Sequence, residues 1–326
     1  MLYDMGYRFL ATLGALAITL SGQTAKVPRA LDGHPDLQGI WTNVTLTPME
    51  RPAAFKDKLT ADDTEARAYE KKEATELNKQ DGQSDGPLIA AAGSSGVGGY
   101  NVLFIDRGSE LARVDGVKRT SLIIEPANGR MPPLTKEGKQ RMAGMFKSFN
   151  NYDSVKDRPL SERCLLGFGS TSGPPMLPVL YNNNYQIVQT ADNVMILVEM
   201  VHDARIIRIN GTHAPANVRQ WLGDSIGHWE GDSLVVDTTN FTDQSGFYFG
   251  SSSLHVIERF RRIGPSTILY KATIDDPVTF EKIWTVEYPF VATAGPVYEY
   301  ACHEGNYAMT DIMGGAREME KAKAKQ

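Results

Sequence analysis

Cysteine is nearly absent: the 326-residue chain has two, Cys164 and Cys302, and no C-x-x-C pair. This excludes a cysteine-rich zinc module and a disulfide-dense miniature scaffold. In an oxidising compartment the two thiols can pair, and closing so long a loop stabilises by about 5 kcal/mol on the chain-entropy model. Positive charge is not in excess: 34 Lys+Arg stand against 39 Asp+Glu, a formal charge of −5. No net cationic field exists to displace counterions from nucleic acid. Beyond residue 20 the sequence has no apolar run long enough to cross a bilayer as a helix, so stable membrane insertion is not expected. What is present, 41 % hydrophobic and 22 % charged residues, is the balance of a globular protein large enough to bury a core.

Familiar catalytic signatures are missing as well. The chain has no phosphate-binding G-x-x-x-x-G-K-[ST] loop, and the glycines at 96–99 lack a strand-to-helix frame. The Gly169-Ser170-Thr171-Ser172-Gly173 run puts Thr where a nucleophile elbow needs its serine, and His303-Glu304 has no second histidine at zinc-helix spacing. No organic cofactor is expected.

Residues 1–25 read as a signal peptide. Arg8 precedes an apolar run of signal-core length, and small and polar residues follow from Ser21. Export to the periplasm or beyond is the expectation. Residues 26–178 mix short strands, surface helices and long loops that contribute to the same unit. A polar helix is expected over 60–79 with Thr60 and Asp63 as a capping box, a loop over 81–100, short strands at 103–105 and 119–125, and a helix over 136–149 capped by Thr135. From 179 to 307 the pattern is strand, turn, strand, with runs at 185–189, 194–201, 205–209, 227–229, 233–238, 255–263, 267–274 and 279–288. Closely spaced short strands with tight turns predict a mainly β fold: an antiparallel meander closed or nearly closed into a barrel, with a few peripheral helices. A β-sandwich is the alternative. Residues 308–326 read as a C-terminal helix and tail.

Gly39-Ile40-Trp41 resembles the G-x-W strand signature of lipocalin-like and calycin barrels. The resemblance implies a lipocalin-like barrel whose Trp plugs one end against an Arg of a late strand, here Arg259 or Arg261. Residues 180–185, 195–209, 221–241 and 298–307 resemble a family of exported, uncharacterised proteins from soil and other environmental bacteria. That resemblance implies export and a single unit, and brings no site residues with it.

Candidate chemistry concentrates where ionisable groups interrupt apolar strands. Glu199, His202, Asp203, Arg205 and Arg208 form the densest group. If 201–204 is a hairpin turn, Glu199 and Arg208 face one barrel interior, and buried charges must be paired or functional. His202 or His228 is then the proton carrier, Arg205 or Arg208 the anion stabiliser, and Glu199 or Asp203 the orienting carboxylate. His228 belongs to a second group with Asp224, Trp229 and Asp237. Strand alternation puts His255 on the face of Arg259 and Arg261 and Glu258 on the other, so both cannot serve one interior site. Tyr181, Asn183, His255, Tyr300, His303 and Glu304 are candidate substrate-binding residues. His213 sits in a loop that covers a site or does nothing. The bland alternatives are ion pairs closing a barrel end, satisfied structural histidines, and turn-forming asparagines.

Together these features suggest an exported enzyme doing cofactor-free acid–base chemistry, of lyase, dehydratase or isomerase type, on a small organic or sugar-derived molecule. A lipocalin-like small-molecule binding protein is one alternative. A metal-dependent hydrolase is the other, since three of His202, His213, His228, His255 and His303 with a carboxylate could converge on a divalent metal, although no ligand spacing dictates it. The expected partner is a small molecule, not nucleic acid.

Overall fold

A computed structural model describes residues 27–84, 106–167, 173–244, 247, 249–304 and 306–325. The signal peptide expected at 1–25, most of the 81–100 loop, the strand at 103–105 and the glycine-rich runs at 96–99 and 169–172 lie outside the described residues. In chain order the elements are β1 (Gly39–Thr42), β2 (Thr60–Ala61), α1 (Asp63–Ser84), β3 (Arg113–Val114), β4 (Val117–Arg119), β5 (Ile123–Glu125), α2 (Lys136–Ser148), β6 (Asn184–Gln189), β7 (Asn193–Val198), β8 (Ala204–Ile209), β9 (Asp224–Glu230), β10 (Ser233–Thr239), β11 (His255–Gly264), β12 (Thr267–Asp275), β13 (Trp284–Ala292) and α3 (Ala308–Lys323).

Nine strands close a barrel in the order β1-β6-β7-β8-β9-β10-β11-β12-β13, and Trp41 pairing with Ala292 returns the ring to β1. Strands that alternate in direction cannot close an odd ring, so one pairing must be parallel. That pairing is β8 with β9, made by the 210–223 crossover. Gly227 lets the two strands meet: a Cβ there would lie 2.8 Å from Ile207. β5 adds to β13 as a tenth strand, and β2, β4 and β3 form a small separate sheet.

The period-2 alternation of the strands aims one face inward, and that face is filled by side chains. Tyr270 packs its ring 5.1 Å from Phe260, 5.3 Å from Tyr288 and 5.1 Å from Phe290, while Tyr185 lies 5.1 Å from Phe290. The backbone of Met176 reaches this interior, its N–H donating to the Tyr270 hydroxyl at 3.0 Å and its carbonyl accepting from Asn43 Nδ2 at 3.0 Å. Trp41 is buried and donates Nε1–H to the Leu37 carbonyl at 2.9 Å. The arginine stacked on it, 5.1 Å from the ring centroid, is Arg262 rather than Arg259 or Arg261. Alternation is the reason: Val256, Glu258 and Phe260 face in, so Arg262 falls inside while Arg261 stays exposed.

α2 starts as its sequence predicts, with the Thr135 hydroxyl accepting from Gly138 N–H at 2.9 Å. α1 is capped two residues later than expected: Asp62 accepts from Glu65 N–H at 2.9 Å and Glu65 from Asp62 N–H at 3.3 Å, so the capping box is Asp62–Glu65. The run expected from 279 becomes a strand only at Trp284, because Thr279 and Phe280 close a turn on Asp276. Cys164 and Cys302 are joined in a disulfide with Cα atoms 5.8 Å apart. It fastens the 293–307 segment that follows β13.

Candidate functional site

The residues of the densest sequence cluster do not assemble into one site. Arg205 lies at the centre of the barrel, where its guanidinium forks onto Glu258, one of the two contacts being 2.9 Å. The Tyr270 hydroxyl donates to the same carboxylate at 2.8 Å. Burial works against the Arg205 charge, but the adjacent Glu258 carboxylate outweighs it and raises the pKa. Both guanidinium ends are thereby engaged, and Nε has no partner among the described residues.

Glu199 and Arg208 do not share the interior. The 201–204 stretch is not a tight hairpin; a 3-10 turn at Met200–His202, with Val201 and His202 at φ +60° and +42°, shifts the return strand. With Leu197 opposite Ala204, alternation points Arg205 inward and Arg208 outward. Glu199 is buried at the barrel end, accepting from Asn184 Nδ2 at 2.8 Å and from Tyr298 N–H at 3.2 Å. Exposed His202 accepts the Tyr300 N–H at Nδ1, 3.4 Å away. Two groups far apart in sequence thus meet, but Glu199 and His202 hold backbone of the 293–307 segment. Asp203 contributes its carbonyl to Val198 N–H at 2.8 Å.

The remaining candidates are scattered. Asn183 is buried as a loop clip, its amide bonded to both backbone groups of Val179 at 2.8 Å and to the Asp106 carbonyl at 3.2 Å. Tyr181 and Tyr300 pack half-buried on the core. His303 and Glu304 are exposed beside the disulfide. His228 lies exposed on the outer wall, 3.1 Å from Glu230, which also holds Arg259.

A different polar constellation forms on the outer face of β9, β10 and β11. Alternation directs Asp224, Asp237 and His255 outward, and register makes them neighbours: Asp237 lies opposite Ile257 and Ile226, so His255 and Asp224 are both diagonal to it. The 210–223 crossover lays His213 over them. It is held by Asn240 Nδ2 donating to the Ala214 carbonyl at 2.9 Å and by Ala214 N–H donating to Asp224 at 2.9 Å. His213 Nδ1 then sits 2.9 Å from Asp224 and its Nε2 3.2 Å from Asp237 Oδ1, which is also 3.0 Å from His255 Nε2. Arg208 closes the far end, forking onto Asp224 at 2.9 and 3.1 Å.

The electrostatics follow from this order. Burial would raise the Asp224 pKa, but the bonds from Arg208, Ala214 N–H and His213 override it and hold it at about 2. Asp237 is lowered mainly by the hydrogen bond from His255, and His255 is raised by the same bond against a smaller burial effect. The result is an Asp224–His213–Asp237–His255 relay, braced by Arg208 and open at His255. The sequence pattern groups Asp224 and Asp237 with His228 and puts His213 in a loop. The β10–β11 register that gives Asp237 to His255 leaves no mark within either strand alone.

Of the five histidines, His213 and His255 meet at Asp237, while His202, His228 and His303 lie elsewhere. Among the described residues no group of three His, Cys, Asp or Glu is arranged to hold a metal ion. Comparisons with protein-family models, with curated proteins and with solved structures found no match.

Proposed function

We propose that this protein is an exported acid–base enzyme, of lyase, dehydratase or isomerase type, acting on a small organic molecule, with His255 as the proton carrier. The carrying observation is the 3.0 Å contact between His255 Nε2 and half-buried Asp237. With Nε2–H given to the carboxylate, Nδ1 carries the lone pair of the neutral ring, and it has no partner among the described residues. A raised pKa brings such an imidazole towards neutral pH, where proton transfer by general acid–base catalysis is most effective. His213, Asp224 and Arg208 fix the carboxylate from behind. This reading gives His255 the role first assigned to His202 or His228, and Asp237 that of Glu199 or Asp203. A barrel interior filled by side chains and a polar relay outside it favour an enzyme over a lipocalin-like carrier. The disulfide supports export, because such bonds persist in oxidising compartments.

The test is proton exchange in D2O, read by 1H NMR as loss of C–H signal next to a carbonyl across a panel of hydroxy acids, keto acids and sugar acids. Wild type should exchange at least one compound. His255→Ala should slow it by about 100-fold or more and Asp237→Asn by roughly tenfold, with His228→Ala unchanged. Equal rates in wild type and His255→Ala, or no exchange of any compound, would overturn the assignment.

A further inference from the structure

We propose that a second small-molecule site lies between α2, residues 151–167 and the residues Asp243, Gln244, Phe249 and Gly250, and that it takes an amphipathic carboxylate. A cavity of about 770 Å³ opens there, and none of its lining residues belongs to the His255 relay. Ligand pockets typically measure about 300–1,000 Å³ and combine apolar walls with a few polar groups. The apolar wall here includes Met145, Phe149, Leu160 and Phe249.

Two arginines build the walls. Arg141 donates to the carbonyls of Phe249, Asp243 and Gly250 at 2.9, 2.7 and 2.7 Å and to the Asp243 carboxylate at 2.9 Å. Arg158, buried, binds the Glu162 carboxylate at 2.8 and 3.0 Å and the carbonyls of Ser148, Phe149 and Asn151 at 2.9–3.3 Å. Their charges are engaged, and their bonds tie α2 to the loops, so the cavity is shaped before any ligand enters. Lys147 and Lys156 also line it, exposed at its rim, and neither has an acidic partner among the described residues. Asp157 offsets one of them. With Arg141 held by Asp243 and Arg158 by Glu162, one lysine charge is left uncompensated, next to an apolar wall whose Phe149 is 43 % exposed. An anionic head at the lysines with an aryl or alkyl body against Phe149, Met145 and Phe249 satisfies both features. A neutral or cationic ligand leaves the lysines unused or repelled.

Titration of the full oxidised chain with 3-phenylpropionate, followed by calorimetry, tests this, with 3-phenylpropanol as the uncharged isostere. Saturable binding of the carboxylate is expected, weakened about tenfold or more for the alcohol and in a Lys147→Glu/Lys156→Glu variant. Phe149→Ala should weaken both probes. The two lysines are exposed, so the charge-reversed chain should keep its melting temperature, which is checked in parallel. Failure of the acid to saturate wild type would overturn the site; equal affinity for acid and alcohol, or for wild type and the charge-reversed chain, would overturn the anion assignment. The readout is binding, so it succeeds or fails independently of the proton-exchange assay at His255.

Discussion

Glu258 is fully buried and accepts from both ends of Arg205 and from Tyr270. Removing one partner of a buried pair leaves the other charge uncompensated, at a cost of about 3–5 kcal/mol, whereas replacing both by apolar residues is often neutral. Glu258→Gln should therefore lower unfolding free energy by about that amount in urea titrations, and Arg205→Met/Glu258→Met should recover most of it. If the double variant is as unstable as the single one, the pair is not the origin of the loss. Asp224 answers a different variable, pH. Its folded value of about 2 lies below the unfolded carboxylate's roughly 3.9, so its contribution is complete above about pH 4 and disappears as pH falls through 2. Asp224→Asn should flatten stability against pH across that window and leave the slope above pH 5 unchanged. Strand alternation already told Glu258 from His255, because facing depends only on parity within one strand. Partners did not follow: Arg205 belongs to Glu258 and Arg208 to Asp224 through a turn and a crossover whose lengths the local pattern does not encode.

At the level of elements, α2 shows how packing overrides propensity. Gly138 lies in the first turns of the helix, where alanine is normally favoured by about 1 kcal/mol. Here the glycine faces the 276–280 turn, and an added Cβ would overlap the Thr279 carbonyl oxygen. Gly138→Ala should reverse the usual sign and destabilise by about 1–3 kcal/mol, measured by urea titration. Gly144, with open space around its Cβ position, is the control at which alanine should stabilise. The Thr135 cap was legible because a cap and its acceptor lie within three residues. The contact that makes Gly138 necessary was not, since it joins α2 to a turn more than a hundred residues away. The 3-10 turn at Met200–His202 escaped for a related reason: Val201 at positive φ is a conformation no β-branched residue advertises.

The whole molecule is a ring of strands closed by β1, which arrives from the far side of the α1 and α2 excursions to pair with both β6 and β13. Period-2 patterning made a barrel the expectation, while nine strands with one parallel seam emerge only from closure. The disulfide acts on this same scale. It spans 138 positions, a stretch containing β6 through β13, so in the unfolded chain it restrains eight of the nine barrel strands. On the chain-entropy model, opening so long a loop costs about 5 kcal/mol even though Cys302 sits in an irregular segment outside the sheet. Reduction, or Cys302→Ser, should lower the urea midpoint of the whole barrel rather than free the 293–307 segment alone. The denaturant slope should rise as well, because an uncrosslinked chain exposes more surface when it unfolds. A change confined to hydrogen exchange in residues 293–307, with midpoint and slope intact, would mean the bond acts as a local staple and that the barrel derives its stability from its filled interior.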